Sequence, residues 1–317
     1  MYGTKESEAE IAMLDMTDTA ENRTTSVAES GDSLMKEAWI RFRRNKLAML
    51  GLVMTVTIIL AALLADVLAP YDPIKQLIWT EGASAKLAAP SARHIMGTDL
   101  YGRDIFSRVL YGARISLQIG IFATLVTLLV GVPLGAIAGY RGGIADDLIS
   151  WLVNVIFAFP FILFVLAVVS VFQNPSLYVV FVAIGMVNWV SICRITRGQF
   201  ISLRGHEFVE AAYALGLPAR RIIFRHIMPN AIAPIIVQAT MGMGSIIMIE
   251  AGLAYLGFGA QPPTPSWGLM ISEGQQYIAQ GQWWWSMFPG FAIMYTVLAF
   301  NFLGDGLRDA LDVRQKR

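Results

Sequence analysis

The chain has 317 residues, of which 56% are apolar and 15% charged, with a mean hydropathy of +0.56. A soluble domain carries about 45–50% apolar and about 25% charged residues, so this balance excludes a water-soluble globular protein and points to several membrane crossings. A net charge of +1 offers nucleic acid no electrostatic hold, and a single cysteine, Cys193, excludes an internal disulfide or a multi-cysteine metal centre.

Residues 1–35 are rich in Glu, Asp, Thr and Ser and hold no long apolar run, which predicts a disordered tail. No basic start leads into an apolar core, so a cleavable signal peptide is not expected. Six apolar runs then follow, each near the roughly 20 residues that span a bilayer. They are Leu47–Ala69, Ile115–Ala138, Leu148–Phe172, Leu177–Cys193, Asn230–Leu256 and Met287–Gly304. The expected fold is all-α and polytopic, with six transmembrane helices. Its parts are the tail, a first span with an external segment over 36–114, and a core of five spans over 115–317. Pro160 interrupts the third run and should kink it.

Orientation follows from Lys and Arg near the span ends. KEAWIRFRRNK precedes the first span, six arginines from Arg194 to Arg225 lie between the fourth and fifth, and VRQKR ends the chain. With six spans these fall on one side, predicted to be the cytoplasm, so both termini are expected there. The loop 257–286 has no Lys or Arg, and Trp283, Trp284 and Trp285 suit an aromatic belt on the far side. The segment 70–114 is also placed outside. It carries Arg93, Arg103, Arg108 and Arg114, with Asp99 and Asp104 nearby as an offset.

Residues 210–229, EAAYALGLPARRIIFRHIMP, are too charged for their neighbours. Phe208, Ala211, Ala212 and Leu215 recur at helical spacing and predict one apolar stripe. Gly216 suits a left-handed C-cap, and Pro218 the start of a second helix. Ile222, Ile223 and Ile227 give that helix an apolar face away from Arg220 and Arg221, and Pro229 should close it. Physics alone allows either a solvated loop helix or a docking element here.

These residues are similar to the EAA signature of permease subunits in binding-protein-dependent ABC importers. Glu210, Ala211, Ala212, Gly216 and Pro229 match it, while His226 and Met228 stand where Ile and Leu are usual. RHIMPN, HIMGTDLYGRDIFSRVLYGARISL, GYRGGIADD, IFAFPFIL, EAGLAYLGFGAQPPTPSWG and FNFLGDGLRDALD resemble the second, C-type permease of dipeptide and oligopeptide importers. The resemblance implies a bacterial inner-membrane permease fold in which Glu210, Ala211, Ala212, Gly216, Leu217, Arg220 and Pro229 form a helix that docks on an ATPase. It implies a homologous second permease, two ATP-binding subunits, an extracytoplasmic peptide-binding protein and a peptide substrate. ATP and magnesium would be bound by the partners, with no cofactor or metal in this subunit. No G-x-x-x-x-G-K-[ST] pattern occurs in this chain, which is expected to catalyse no covalent step.

Other features weigh less. HEFVE at 206–210 lacks the second histidine of a zinc protease, and GMGS at 242–245 has no base within a span, so its glycines should serve helix packing. Glu250 falls near the external end of the fifth span. It is expected to be exposed there, as a structural hydrogen bond or a gate contact. Asn154 and Asn188 either bond between helices or line a pathway, and Pro160 is a pathway or gate candidate for its kink. QPPTPSW is expected to be rigid and external, as a plain loop or part of a docking surface. A nickel permease shares the fold, and an ion-coupled secondary transporter is the rival from another class; it would need mid-membrane acids and internal repeats.

Overall fold

The computed structural model describes residues 36–172 and 177–311. The predicted disordered tail and the basic VRQKR end lie outside the described residues. The rest is helical, with no strand among the described residues beyond an isolated bridge between Thr98 and Asp104.

A helical segment over 36–44 leads into α1, Lys46–Leu63. Asn45 caps α1, its Oδ1 accepting from the backbone N–H groups of Leu47 and Ala48. The first span is shorter than predicted: the helix breaks at Leu64 and a single turn, Ala65–Leu68, follows. Helix α2, Ile105–Arg141, starts before its apolar run, because Asp104 Oδ2 accepts from Ser107 N at 2.9 Å and fixes the N-terminus. The third span is two helices, α3 (Gly143–Ala158) and α4 (Phe161–Ser170), bent by 91° at Phe159-Pro160. The expected kink is therefore a right-angled elbow. Helix α5 is Leu177–Arg204. The charged stretch forms α6, Glu207–Ala214, a turn, and a continuous rod made of Ala219–Arg221, a π-helical segment Ile222–Ile227 and α7, Met228–Tyr255. A short helix α8, Trp267–Gly274, and a long α9, Trp284–Leu311, complete the chain.

Small residues set the close helix contacts. Gly131, Gly135 and Gly139 recur every four residues and share one face of α2. A Cβ on them would lie 2.7, 2.5 and 2.6 Å from the carbonyl oxygens of Trp189, Cys193 and Arg197 of α5. The two backbones therefore touch, running parallel, as small-residue stripes allow in lipid. Helices α1 and α9 meet antiparallel, with Gly51 against Leu303, Gly306 against Ala48, and Asn45 Nδ2 donating to Asp309 Oδ2 at 3.0 Å.

The elbow still crosses the bundle. Asp146 at the start of α3 meets Arg197, Val153 packs on Trp189, Val190 and Cys193, and Val165 and Val169 of α4 pack on Val180 and Ile184. The bent pair thus follows α5 from end to end, which makes six crossings. One end gathers the start of α1, the ends of α2 and α5, α6, and the end of α9. The other carries residues 70–104 and α8.

Candidate functional site

At the first end α6 closes in a Schellman turn. Leu217 N–H bonds Ala212 O at 3.2 Å and Gly216 N–H bonds Tyr213 O at 2.9 Å. Gly216 has φ +71°, and a Cβ there would meet nothing within 4 Å, so glycine serves the backbone and not the space. Pro218 is the N-cap of the next helix, one position earlier than predicted. Pro229 does not close that helix. It lies in the first turn of α7 and the rod runs through it. Proline lacks the N–H for an i−4 bond, and the π-segment absorbs that loss: Met228 N–H reaches back to Ile223 O, and Asn230 Nδ2 donates to His226 O at 2.7 Å.

The segment is seated by few side chains. Val209, Ala212, Ile222 and Ile227 are buried against Phe200 and Ala136. Tyr213 stacks on Tyr140, with ring centroids 6.3 Å apart, and Arg204 Nη1 donates to Tyr140 O at 3.0 Å. The predicted apolar stripe is not the buried one. Phe208, Ala211 and Leu215 face out, Leu215 with 79% of its surface exposed, and Phe224 joins them at 64%. Glu210, Arg220, Arg221 and Arg225 are exposed, and their side chains have no hydrogen-bond or ion-pair partner among the described residues. Ile222, Ile223 and Ile227 face inward, away from Arg220 and Arg221, as predicted.

The pathway candidates do not gather into one site. Asn154 accepts from Arg194 Nη2 at 2.9 Å on the exposed side of α3, and Pro160 stands at the elbow. Asn188 is half-buried and makes no side-chain hydrogen bond among the described residues. Glu250 contradicts its expected exposure. It is fully buried, with Ser116 Oγ donating to Oε2 at 3.4 Å and Ser266 Oγ to Oε1 at 3.2 Å. The chain beyond Pro262 folds back over it, and Ser266 caps α8 directly above. Half of QPPTPSW is thus interior, Pro265, Ser266 and Trp267 being buried. Trp284 and Trp285 are interior too, so only Trp283 suits a belt. Of the GMGS glycines, Gly244 approaches α9 closely and Gly242 approaches nothing.

The α8 end holds an ionic cluster whose links are far apart in sequence. Arg103 Nε donates to Asp99 Oδ2 at 2.5 Å and its Nη2 to Glu273 Oε2 at 3.2 Å. Arg108 is fully buried, 3.9 Å from Asp99 and 3.6 Å from Glu273. Burial pushes the Glu273 carboxyl up from its ordinary value, against the pull of the two guanidiniums. Beside it, His94 Nδ1 lies 3.1 Å from Asp104 Oδ1, and Arg93 pairs with Glu81 at 2.8 Å. Of the predicted offset, Asp99 meets Arg103 and Arg108 directly, whereas the Asp104 carboxylate meets His94 and Ser107 and no arginine side chain among the described residues.

Residues 131–317 match the family described as the binding-protein-dependent transport system inner membrane component, and residues 33–90 match the N-terminal TM domain of oligopeptide transport permease C. The chain belongs to the first of these families. It is 47% identical to the dipeptide transport system permease protein DppC of Alkalihalophilus pseudofirmus over 89% of this chain and 90% of that one. It is 41% identical to DppC of Escherichia coli K12, covering 89% and 94%, and 39% identical to the oligopeptide transport system permease protein OppC of Bacillus subtilis, covering 92% and 93%. The inward-facing methionine ABC transporter MetNI aligns with a TM-score of 0.53 and 19% identity, over 65% of this chain and 97% of that one, a likeness of fold. The chain is therefore a multi-span permease component of the inner membrane, serving a transport system that depends on a binding protein.

Proposed function

We propose that this chain is one permease subunit of an ATP-driven importer of dipeptides and oligopeptides. It would pair with a homologous permease, with two ATP-binding subunits beneath and a peptide-binding protein outside. The partners would bind ATP and magnesium. Residues 207–229 are the joint to the ATPase, which puts both termini in the cytoplasm. The observation that carries the joint is the outward-facing set Phe208, Leu215, Phe224, Glu210 and Arg220, apolar and charged together, at the end of the bundle, where Glu210 and Arg220 have no hydrogen-bond or ion-pair partner among the described residues. The peptide reading rests on near full-length likeness to dipeptide and oligopeptide permeases. We also propose a first-span unit over 36–114 and a core over 115–317, in keeping with the separate family matches over 33–90 and 131–317, and Asn154, Pro160 and Asn188 as pathway residues. Glu250, sealed under α8, fits the external gate better than the pathway wall. The test is uptake of labelled dipeptide into proteoliposomes holding the whole complex. Uptake should need ATP and the binding protein, and should persist without an ion gradient. Uptake that follows an imposed ion gradient and ignores ATP would remove this reading.

A further inference from the structure

One cation within the spans has no anion beside it. Arg194 of α5 is exposed, and among the described residues no carboxylate pairs with it. Its Nη2 donates to Asn154 Oδ1 at 2.9 Å, and its guanidinium carbon lies 4.1 Å from the centroid of the Phe157 ring. Both partners are exposed, Phe157 by 46%.

The direction of this side chain matters more than its place. Asp146 and Arg197 meet at the α6 end and set a common level on α3 and α5. From there α3 climbs about three turns, roughly 16 Å, to Phe157, whereas α5 climbs about one turn to Arg194. The guanidinium therefore extends away from the α6 end, toward the middle of the spans, as the tilt of Cβ toward a helix N-terminus favours. An arginine that only marks the membrane surface extends the other way, to the headgroups. An exposed charge reaching inward is costly against hydrocarbon and faces water in a cavity. The two flanks of α3 differ accordingly. Val153 is the residue buried against α5. On one flank Leu152 and Ile156 line an apolar groove with Leu134 and Met186, which suits lipid. Asn154 and Phe157 lie on the other.

We propose that Arg194, held by Asn154 and Phe157, is a carboxylate-accepting site on the wall of the translocation pathway, in its α6-side half. The proposal rests on the peptide-permease reading. Nε and Nη1 of Arg194 make no bond among the described residues, and a guanidinium edge binds a carboxylate through two parallel N–H donors. The Phe157 face fixes the guanidinium plane, and Asn154 occupies one remaining donor. The ligand class is the peptide carboxylate: the C-terminus of any free peptide, or an acidic side chain.

The experiment uses the complete transporter in proteoliposomes, in a Cys193→Ser background. A cysteine introduced by Arg194→Cys should react with a membrane-impermeant methanethiosulfonate from the α6 side, and turnover with a dipeptide should slow that reaction. In parallel, uptake of Ala-Asp, Ala-Ala and Ala-Lys is measured at saturating binding protein. Arg194→Gln should lower Ala-Asp turnover about tenfold and Ala-Lys much less, with Arg194→Lys between wild type and Gln. Uptake of all three peptides within about twofold of wild type would overturn the site while leaving the permease reading intact. Equal loss for every peptide together with weakened assembly would assign Arg194 to a contact with the second permease. A loss that appears only in vesicles with anionic lipid would assign it to headgroups. Either result overturns the proposal. A wild-type complex that imports none of the peptides removes the permease reading, and the site falls with it.

Discussion

The two ends of the molecule treat the same side chains in opposite ways. At the α8 end Asp99, Arg103, Arg108 and Glu273 are largely buried and meet one another. At the α6 end Glu210, Arg220, Arg221 and Arg225 are exposed and meet nothing in the described chain. A buried charge is tolerable only beside a compensating one, so the α8-end cluster is committed to the fold. An exposed unpaired charge adds almost nothing to stability and stays available to another chain. Substitutions at the first end should therefore report on folding, and those at the second on coupling.

The largest effect on stability is expected from breaking the α8-end cluster by one member. Arg108→Ala leaves Asp99 and Glu273 short of a cation and should cost about 3–5 kcal/mol, as for other buried pairs. Little folded protein should be recovered in detergent, and what remains should melt well below wild type. If Arg108→Ala melts normally and fails only in transport, the cluster is a moving latch and the contrast between the ends is not one of folding against coupling.

At the other end Gly216→Val strains a left-handed position by about 1–2 kcal/mol in a turn that touches little else. Glu210→Lys reverses a charge that has no partner in the described chain. Both proteins should insert and melt close to wild type. Both should lose peptide-stimulated ATP hydrolysis, retention of the ATPase and uptake. Near-normal hydrolysis and uptake would make residues 207–229 a solvated loop.

Glu250 lies between these extremes. Glu250→Gln keeps one acceptor oxygen, and a serine hydroxyl can rotate to accept from the new amide, so about 1 kcal/mol and a modest loss of transport are expected. Glu250→Leu leaves the hydroxyls of Ser116 and Ser266 without their acceptor, and about 1–3 kcal/mol is expected. Melting temperatures of the two variants, compared at equal lipid content, check the order. If both melt like wild type but Glu250→Gln abolishes uptake, the carboxyl acts in gating and not in packing.

These contrasts were legible in the sequence to different depths. The spans follow from composition, and the Gly216 turn from local chemistry, because both depend on residues adjacent in the chain. The elbow angle does not: Pro160 removes one hydrogen bond, which breaks the helix without fixing an angle, and the 91° bend accompanies packing of Val165 and Val169 on α5. The pairing of Arg103 and Arg108 with Glu273 joins positions over 160 apart, which no spacing rule reaches. Glu250 was expected at the surface because position along a helix gives depth and not cover, and the cover is α8. Arg194 was read only as one of six arginines marking a side of the membrane, because the sequence does not show which way a side chain extends. The buried face of α6 was misplaced because periodicity shows an apolar stripe and not what packs on it: Phe208, Ala211 and Leu215 of the four face out.

The smallest effect tests whether exposure, and not the end of the molecule, decides how a charge behaves. Asp66 lies at the α8 end but is exposed, with Tyr111 Oη donating to its Oδ1 at 2.6 Å and Arg114 Nη2 to its Oδ2 at 3.1 Å. The Tyr111 hydroxyl, and after it the Arg114 guanidinium, hold this carboxyl below the ordinary aspartate range. The folded state then binds the proton less readily than the unfolded chain. The stabilisation is present above the unfolded aspartate value, about pH 4, and is lost as pH falls through the depressed folded value. Asp66→Asn should therefore melt slightly below wild type at neutral pH, and the gap should close as the sample is acidified below pH of about 4. Salt should narrow the gap at neutral pH, because an exposed pair is screened. A gap as wide as that of Arg108→Ala would mean that the whole α8 end is one cooperative electrostatic unit. Exposure would then no longer separate the charges that hold the fold from those left for a partner.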